Sequence, residues 1–323
     1  MKRGLAFVFL AVLGLLLGYL RYQRRQPTAI WPRPQPAAKL SLSQARSTFK
    51  TKLVRHEAEH EPVPPPPPQL FRTVRYDSPA GKLAAYISQP AKDGQKHPAI
   101  VWIFGGFSNS IGDTAWENAS PDNDQSASAF WKAGIVTMYP SFRGGSDNPG
   151  YKESFYGEVD DVIAAADYLA KQDFVDPNRI YLGGHSTGGT MALLAAECSS
   201  RFRAVFAFGA VDDVGAYGDR YLTFDTSNEK ELDLRAPKLW LSSVHNPTFV
   251  FEGTRSPNLE DLLSMRTAAS SNPKVQFYPV MGFDHFSILA PMTHLLATKI
   301  LSDDGPATNI TFTSQELASL RAK

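Results

Sequence analysis

Residues 181–190 read "YLGGHSTGGT" and contain Gly184-His185-Ser186-Thr187-Gly188, a G-x-S-x-G pattern. The physical content of that pattern is a sharp turn between a strand and a helix, which pushes a serine hydroxyl into the open while glycines on either side avoid side-chain clashes. The surroundings supply both flanks. The apolar run "RIYLGG" leads directly into the motif, and "TGGTMALLAA" follows it as a small-residue helix start. Ser186 is therefore the candidate nucleophile of a strand-turn-helix unit.

A serine hydroxyl is a weak nucleophile unless a base lies within hydrogen-bond reach and a carboxylate orients that base. Where this turn occurs, the order along the chain is serine, acid, histidine. Of the seven histidines, His285 and His294 follow the strand-like run "PTFVFEG" that should carry the acid. His285 lies in the loop "VMGFDHF" between the last strand and the last helix, whereas His294 lies inside that helix. His285 is the expected base, with Asp284 as an alternative partner that would simply hold it in the loop. His185 is expected to pack beneath the turn as a structural residue.

Outward from this centre, short apolar runs alternate with amphipathic helices from Phe71 to about Asp303, the pattern of a mostly parallel sheet with helices on both faces. "FRTVRYDSPAGKLAAYISQP" reads as a hairpin turning at Pro79-Ala80-Gly81. "PAIVWIFGG", "GIVTMYPS", "RAVFAFGA" and "KVQFYPV" read as further strands. "DNDQSASAFWKAG" reads as a helix stopped by glycine, "GEVDDVIAAADYLAKQ" as a helix with one apolar face, and "FSILAPMTHLLATKIL" as the closing helix. A short polar tail, 304–323, follows.

The N-terminal segment, 1–25, has a different character. "GLAFVFLAVLGLLLGYL", Gly4 to Leu20, is an uncharged apolar run flanked by Lys2, Arg3, Arg21, Arg24 and Arg25. As a helix it would extend about 25 Å, just short of a hydrocarbon core. Arginines stand where a signal peptidase requires small side chains, so a single-pass membrane anchor through residues 4–20 is expected, with an uncleaved signal as the alternative. Residues 26–70, ending in "EPVPPPPPQL", read as a stiff Pro-rich linker. Within it, "HEAEH" (His56–His60) matches a zinc-binding pattern, but Pro62 and the proline run would stop the helix that pattern needs. No metal is expected there. Lys plus Arg, 33, nearly balances Asp plus Glu, 32, which removes the basic footprint a nucleic-acid partner requires. The single cysteine, Cys198, forms no internal disulfide.

Taken together, "FGGFSNS", "YPSFRGG", "VDPNRIYLGGHSTGG" and "LRAPKLWLSSVHNPTFVFEGT" resemble the alpha/beta-hydrolase superfamily, and within it the catalytic domain of the prolyl oligopeptidase family, from about Pro98 to Leu301. The resemblance implies an alpha/beta-hydrolase domain over 71–303. It implies a serine hydrolase with Ser186 as nucleophile and His285 as base, no metal or organic cofactor, and a small ester or short peptide as substrate. Two departures qualify it. Where the family writes His-Gly-x-x-Asp, this chain writes Glu252-Gly253-Thr254-Arg255-Ser256, so the usual aspartate is a serine. Glu252, Asp212 and Glu260, in that order, are candidates for the acid.

The oxyanion hole combines the Thr187 N–H with a second donor from the loop after the third strand. Phe104 has no hydroxyl where relatives often have tyrosine, so the N–H of Gly106 or Phe107 has to serve, which tilts the expectation from peptidase toward esterase. The segment Asp213–Leu241 is expected to cap the site, with Tyr217, Tyr221 and Phe224 as candidate walls. A hydrolase-like binding protein without turnover and an acyltransferase with the same triad are the rival readings.

Overall fold

The computed structural model describes residues 40–320, and the expected membrane segment lies outside them. Among the described residues, no helix is long and apolar enough to cross a membrane. Eight strands form one sheet: β1 Phe71–Ser78, β2 Gly81–Ser88, β3 His97–Ile103, β4 Val136–Pro140, β5 Val175–His185, β6 Val205–Phe208, β7 Thr248–Gly253 and β8 Val275–Val280. Their order is β1-β2-β4-β3-β5-β6-β7-β8. β1 runs antiparallel to β2, and β2 antiparallel to β4. The remaining neighbours are parallel.

The apolar runs form these strands because the inner strands are covered on both faces. Every residue of β4, β6 and β7 is buried, so each can be apolar throughout instead of alternating. One face packs against the helices Gly157–Ala170, Thr187–Cys198 and Leu259–Ala268; the other packs against Ala129–Lys132 and Leu289–Leu301. After β3 the chain crosses to β4 on one side and then returns to β5 on the other. That reversal opens a crevice beyond the carboxyl ends of β3 and β5, the ordinary ligand position in an open α/β sheet. The loop after β3 begins at Phe104, and the residue after β5 is Ser186.

Four expectations are corrected. Residues 40–70 do not stand off as a spacer. The helix Leu42–Ser47 buries Leu42 and Ala45, and Arg46 reaches Asp160 at 2.9 Å. The Tyr86 hydroxyl donates to the Pro64 carbonyl at 2.6 Å and Gln89 Nε2 to the Pro68 carbonyl at 2.9 Å. A proline-rich chain makes no internal hydrogen bonds, so its carbonyls are free to accept from a neighbouring surface.

The helix expected over 122–134 shrinks to Ala129–Lys132. The Asp124 carboxylate takes the hydroxyls of Ser126 and Ser128 and the Ser128 N–H, a local arrangement that competes with helix. The closing helix starts at Leu289 instead of Phe286 because Asp284 accepts from the Phe286 and Ser287 N–H groups, forming a turn.

The C-terminal tail is also docked. Phe312 lies edge-on to Phe249 at 5.2 Å and to Phe251 at 5.1 Å, and Lys299 pairs with Glu316 at 2.6 Å. Just before it, Asp303 is fully buried and binds Arg203 through both oxygens. If the tail is part of the domain in this way, Phe312→Ala should destabilise the protein by about 3 kcal/mol. Urea unfolding would show it as a lowered midpoint with an unchanged slope. No change would mean that the tail contributes nothing to stability.

Candidate active site

Ser186 sits at φ 57° and ψ −118°, a conformation that a non-glycine residue seldom adopts. Its neighbours explain how the chain tolerates it. A Cβ on Gly184 would lie 2.4 Å from the Gly188 carbonyl oxygen, and one on Gly188 would lie 2.3 Å from the Ile103 carbonyl oxygen. The two glycines of the motif let strand, turn and helix come within backbone contact. The Ser186 N–H donates to the Phe208 carbonyl at 2.7 Å, which ties the turn to β6. Ser186 is 9% exposed and begins the helix Thr187–Cys198, whose first N–H groups point toward the crevice.

His285 and Glu252 meet at this edge of the sheet. His285 Nδ1 lies 3.1 Å from Glu252 Oε2. Glu252 is 1% exposed, and its other oxygen, Oε1, accepts from the Gly253 N–H at 2.7 Å. One oxygen of the carboxylate is thus fixed by the backbone while the other meets the imidazole. Asp284 is occupied by Phe286 and Ser287, so it does not hold the neighbouring histidine.

Asp212, the alternate acid, faces elsewhere. Its carboxylate accepts from Ser264 Oγ at 2.6 Å and pairs with Lys238 at 3.3 Å. Burial and the nearby Asp212 push the Asp261 carboxyl up to about 7. Glu260 is exposed on the first turn of its helix. Ser256, standing where an aspartate was expected, caps the turn into that helix by accepting from the Asn258 N–H at 3.2 Å.

Two residues have a larger part than the sequence suggested. His185 is fully buried, and its Nε2 lies 2.9 Å from the carbonyl oxygen of His285, with the two rings 4.5 Å apart. That distance assigns the donor role to Nε2–H, so the turn that presents Ser186 also holds the backbone of His285. Burial, and then the proximity of His285, push the His185 imidazole well below its ordinary value, which keeps it neutral.

Gly209, at φ +62°, is the other. A Cβ there would lie 2.4 Å from His285 Cε1 and 2.7 Å from Nδ1, so its bare backbone makes room for the ring. The glycine ending "VFAFG" was the available signal.

On the β3 side, Thr187 Oγ1 donates to the Gly106 carbonyl at 2.5 Å. In a trans peptide the N–H points opposite to the C=O, so the Phe107 N–H is directed away from Thr187. Phe104 stacks on Tyr139 at 4.9 Å. Phe107 stacks on Tyr221 at 4.0 Å and meets the edge of Tyr217 at 5.3 Å. Tyr217 in turn stacks on Phe155 at 5.5 Å and bonds Thr190 Oγ1 at 2.8 Å. Tyr217 and Tyr221 thus adjoin the crevice, whereas Phe224 is buried under the Arg235 guanidinium, 3.9 Å from its ring centre. A cavity of about 30 Å³, room for one water, lies between Phe104, Phe107, Phe155, Thr187 and Glu158. A larger open groove of about 700 Å³, lined by Arg179, Arg201, Arg203 and Lys274, includes none of the candidate residues.

His56 packs edge-on against Tyr151, and Glu57 pairs with Arg55. Among the described residues, no three His, Cys, Asp or Glu side chains converge as metal ligands would.

Comparison with known proteins agrees with this architecture. Residues 121–255 match the Prolyl oligopeptidase family model. "Prolyl oligopeptidase A" of Galerina marginata is 29% identical over 205 residues, covering 60% of this chain and 24% of that protein. The chain spans about a quarter of the length of the prolyl oligopeptidase and dipeptidyl peptidase relatives it matches, and 56% of "Uncharacterized peptidase YtmA" of Bacillus subtilis. Among solved structures, an acylaminoacyl peptidase of Pyrococcus horikoshii superposes with a TM-score of 0.59 at 17% identity, over 77% of this chain and 44% of that one. A hyperthermophilic esterase of Pyrobaculum calidifontis superposes with a TM-score of 0.55 at 15% identity, over 81% of this chain and 88% of that one. The chain has an alpha/beta-hydrolase fold and resembles the catalytic domain of the prolyl oligopeptidase family.

The neutral, buried His185 has a consequence for pH. Once unfolded, its imidazole takes up a proton below about pH 6.5, whereas the folded one does not. Its contribution to stability is therefore present above that pH and lost as the pH falls through it. Relative to His185→Gln, the wild type should lose about 1.4 kcal/mol per pH unit below 6.5 in denaturant titrations. Parallel stability curves for the two proteins between pH 5 and 7.5 would contradict the assignment.

Proposed function

We propose that this chain is a serine hydrolase that cleaves short peptides through an acyl-enzyme, with activated esters turned over by the same residues. The observation that carries the reading is the His285 imidazole held on the buried carboxylate of Glu252, on the same sheet edge as the strained turn that presents Ser186. In the proposed reaction Ser186 Oγ attacks the substrate carbonyl carbon while His285 Nε2 accepts its proton. Nδ1–H stays on Glu252, which orients the ring and stabilises the imidazolium. The tetrahedral oxyanion is held by the Thr187 N–H and, of the two donors expected from the β3 loop, by that of Gly106, since the Phe107 N–H is turned away from Thr187. His285 then protonates the departing amine or alcohol. A water, deprotonated by the same imidazole, releases the acyl group from Ser186.

The absence of a hydroxyl at Phe104 favoured ester over peptide. The family match over 121–255 and the names of the relatives shift the balance to peptide. The esterase from Pyrobaculum, which this chain matches over nearly the whole of that protein, keeps ester cleavage as the second reading. The aromatic cluster of Phe107, Tyr217 and Tyr221 beside the crevice favours a small substrate on either reading. A tether to the membrane through residues 4–20 is part of the proposal on the strength of the sequence.

A fluorophosphonate probe should label the wild type and fail to label Ser186→Ala; an unreactive, folded wild type would leave a binding protein as the better reading. On a dipeptide p-nitroanilide, Glu252→Gln should lower kcat about 10³ to 10⁴-fold, because an amide N–H facing Nδ1 forces the wrong imidazole tautomer. Asp212→Asn should stay within about twofold of wild type, as its carboxylate faces Ser264 and Lys238. The reverse order would move the acid to Asp212.

A further inference from the structure

We propose that residues Arg55–Glu59, part of the segment whose sequence mimics a zinc motif, form a strap that fixes the oxyanion loop to the cap, with Glu59 as its positioning residue. The inference rests on the hydrolase reading above for its catalytic consequence.

The two oxygens of Glu59 are divided between two hydroxyls of the loop that follows β3. Ser108 Oγ donates to Oε1 at 2.9 Å and Ser110 Oγ to Oε2 at 2.6 Å. The Glu59 N–H donates to the Gly144 carbonyl at 2.6 Å, which roots the strap in the loop after β4. Two residues earlier, the Glu57 carbonyl accepts from the Lys152 N–H at 2.9 Å, and Lys152 Nζ donates to the Phe107 carbonyl at 2.6 Å. The loop carrying Gly106 is thus held from inside by Thr187 and from outside by Glu59 and Lys152.

The other end of the strap grips the cap. The Val54 and Arg55 N–H groups both donate to the Thr223 carbonyl, at 2.7 and 3.1 Å. The Arg55 guanidinium reaches the Asp219 carbonyl at 3.3 Å and the Arg220 carbonyl at 3.0 Å, while its Nε binds Glu57 at 2.7 Å. Tyr221, which stacks on Phe107, lies in that same cap segment. Oxyanion loop and cap therefore meet twice, directly through two rings and indirectly through the strap.

This placement gives the acidic residues of "HEAEH" a use that needs no metal. A second N–H donor contributes to catalysis only if it is aimed before the oxyanion forms, and a glycine at φ +108° such as Gly106 does not aim itself. Glu59 adds a restraint at Ser108 and Ser110, two and four residues beyond Gly106.

The test uses the full-length chain with p-nitrophenyl acetate as probe, alongside amide hydrogen exchange over residues 104–110. Glu59 is exposed, so its variants should fold, and thermal melting will verify that they do. Glu59→Ala should lower kcat about tenfold while KM stays within about twofold, the pattern of an interaction that matters in the transition state. Exchange over 104–110 should speed up severalfold, and Glu59→Gln, which can still bond both hydroxyls, should recover most of the loss. Unchanged exchange over 104–110 in Glu59→Ala would overturn the strap, as would a loss carried by KM alone. If the wild type neither turns over the ester nor takes a fluorophosphonate on Ser186, the hydrolase reading fails. The exchange comparison then still decides whether Glu59 holds the loop.

Discussion

The backbone conformation of Ser186 is the constraint to which the rest of the molecule answers. A non-glycine residue at positive φ costs on the order of 1–3 kcal/mol and persists only where its surroundings over-determine it. Here they do. The strand enters through Gly184, the helix leaves through Gly188, and both pass so close to neighbouring carbonyls that a methyl group would collide with them. Gly189 repeats the pattern one residue on, where a Cβ would lie 2.3 Å from the Phe208 carbonyl oxygen. The Ser186 N–H is spent on that same carbonyl. Relaxing the turn would break contacts with both β3 and β6, which makes the strained geometry the least costly one available.

Buried ion pairs do comparable work for the irregular segments around the turn. Arg143, after β4, is clamped to Asp161 through its N–H, Nε and Nη2, and Gly157 is the residue whose missing side chain admits the guanidinium. Arg235 of the cap is fully buried and binds Glu231, Thr51 and the Ser154 carbonyl. Such pairs add little net stability, because desolvation offsets most of the Coulomb attraction, but losing one partner strands a buried charge. Their effect is to forbid alternative arrangements. Arg143 ties the loop after β4 to the helix Gly157–Ala170, and Arg235 ties the cap to Thr51 and Ser154.

What was legible in the sequence follows the same division. Every strand run read from its apolar pattern lies in the sheet, and in β4, β6 and β7 burial on both faces writes itself into consecutive residues. The turn at Ser186 was legible from glycine spacing. Helix starts were less so. Asp124 and Asp284 each form local turns through their side chains, and periodicity carries no trace of that competition. The fate of residues 40–70 was hidden for a different reason. A proline-rich segment looks the same in composition whether it spans solvent or lies on a surface, and only the position of acceptors and donors on its neighbour, such as the Tyr86 hydroxyl, decides between them. Phe312 and Asp303 were overlooked in the C-terminal segment because one aromatic and one acid do not make a pattern.

The proposed acid, Glu252, marks most plainly where motif reading stops and geometry takes over. A motif fixes a position in the chain, whereas orienting an imidazole requires only that an oxygen arrive near Nδ1. Glu252 is the penultimate residue of β7, paired in register with Pro279, so its backbone is fixed by the sheet. Its longer side chain covers from the strand the distance that an aspartate would cover from the loop beyond. With the carboxylate supplied there, Ser256 is free to cap the turn into the next helix, and Asn258 is free to bind the Gly209 carbonyl at 2.8 Å, steadying the residue on which the His285 ring rests. The serine that reads as a missing catalytic group is therefore part of the support beneath the His285 imidazole. The departure in sequence moves a charge along the chain while leaving a carboxylate oxygen beside the imidazole.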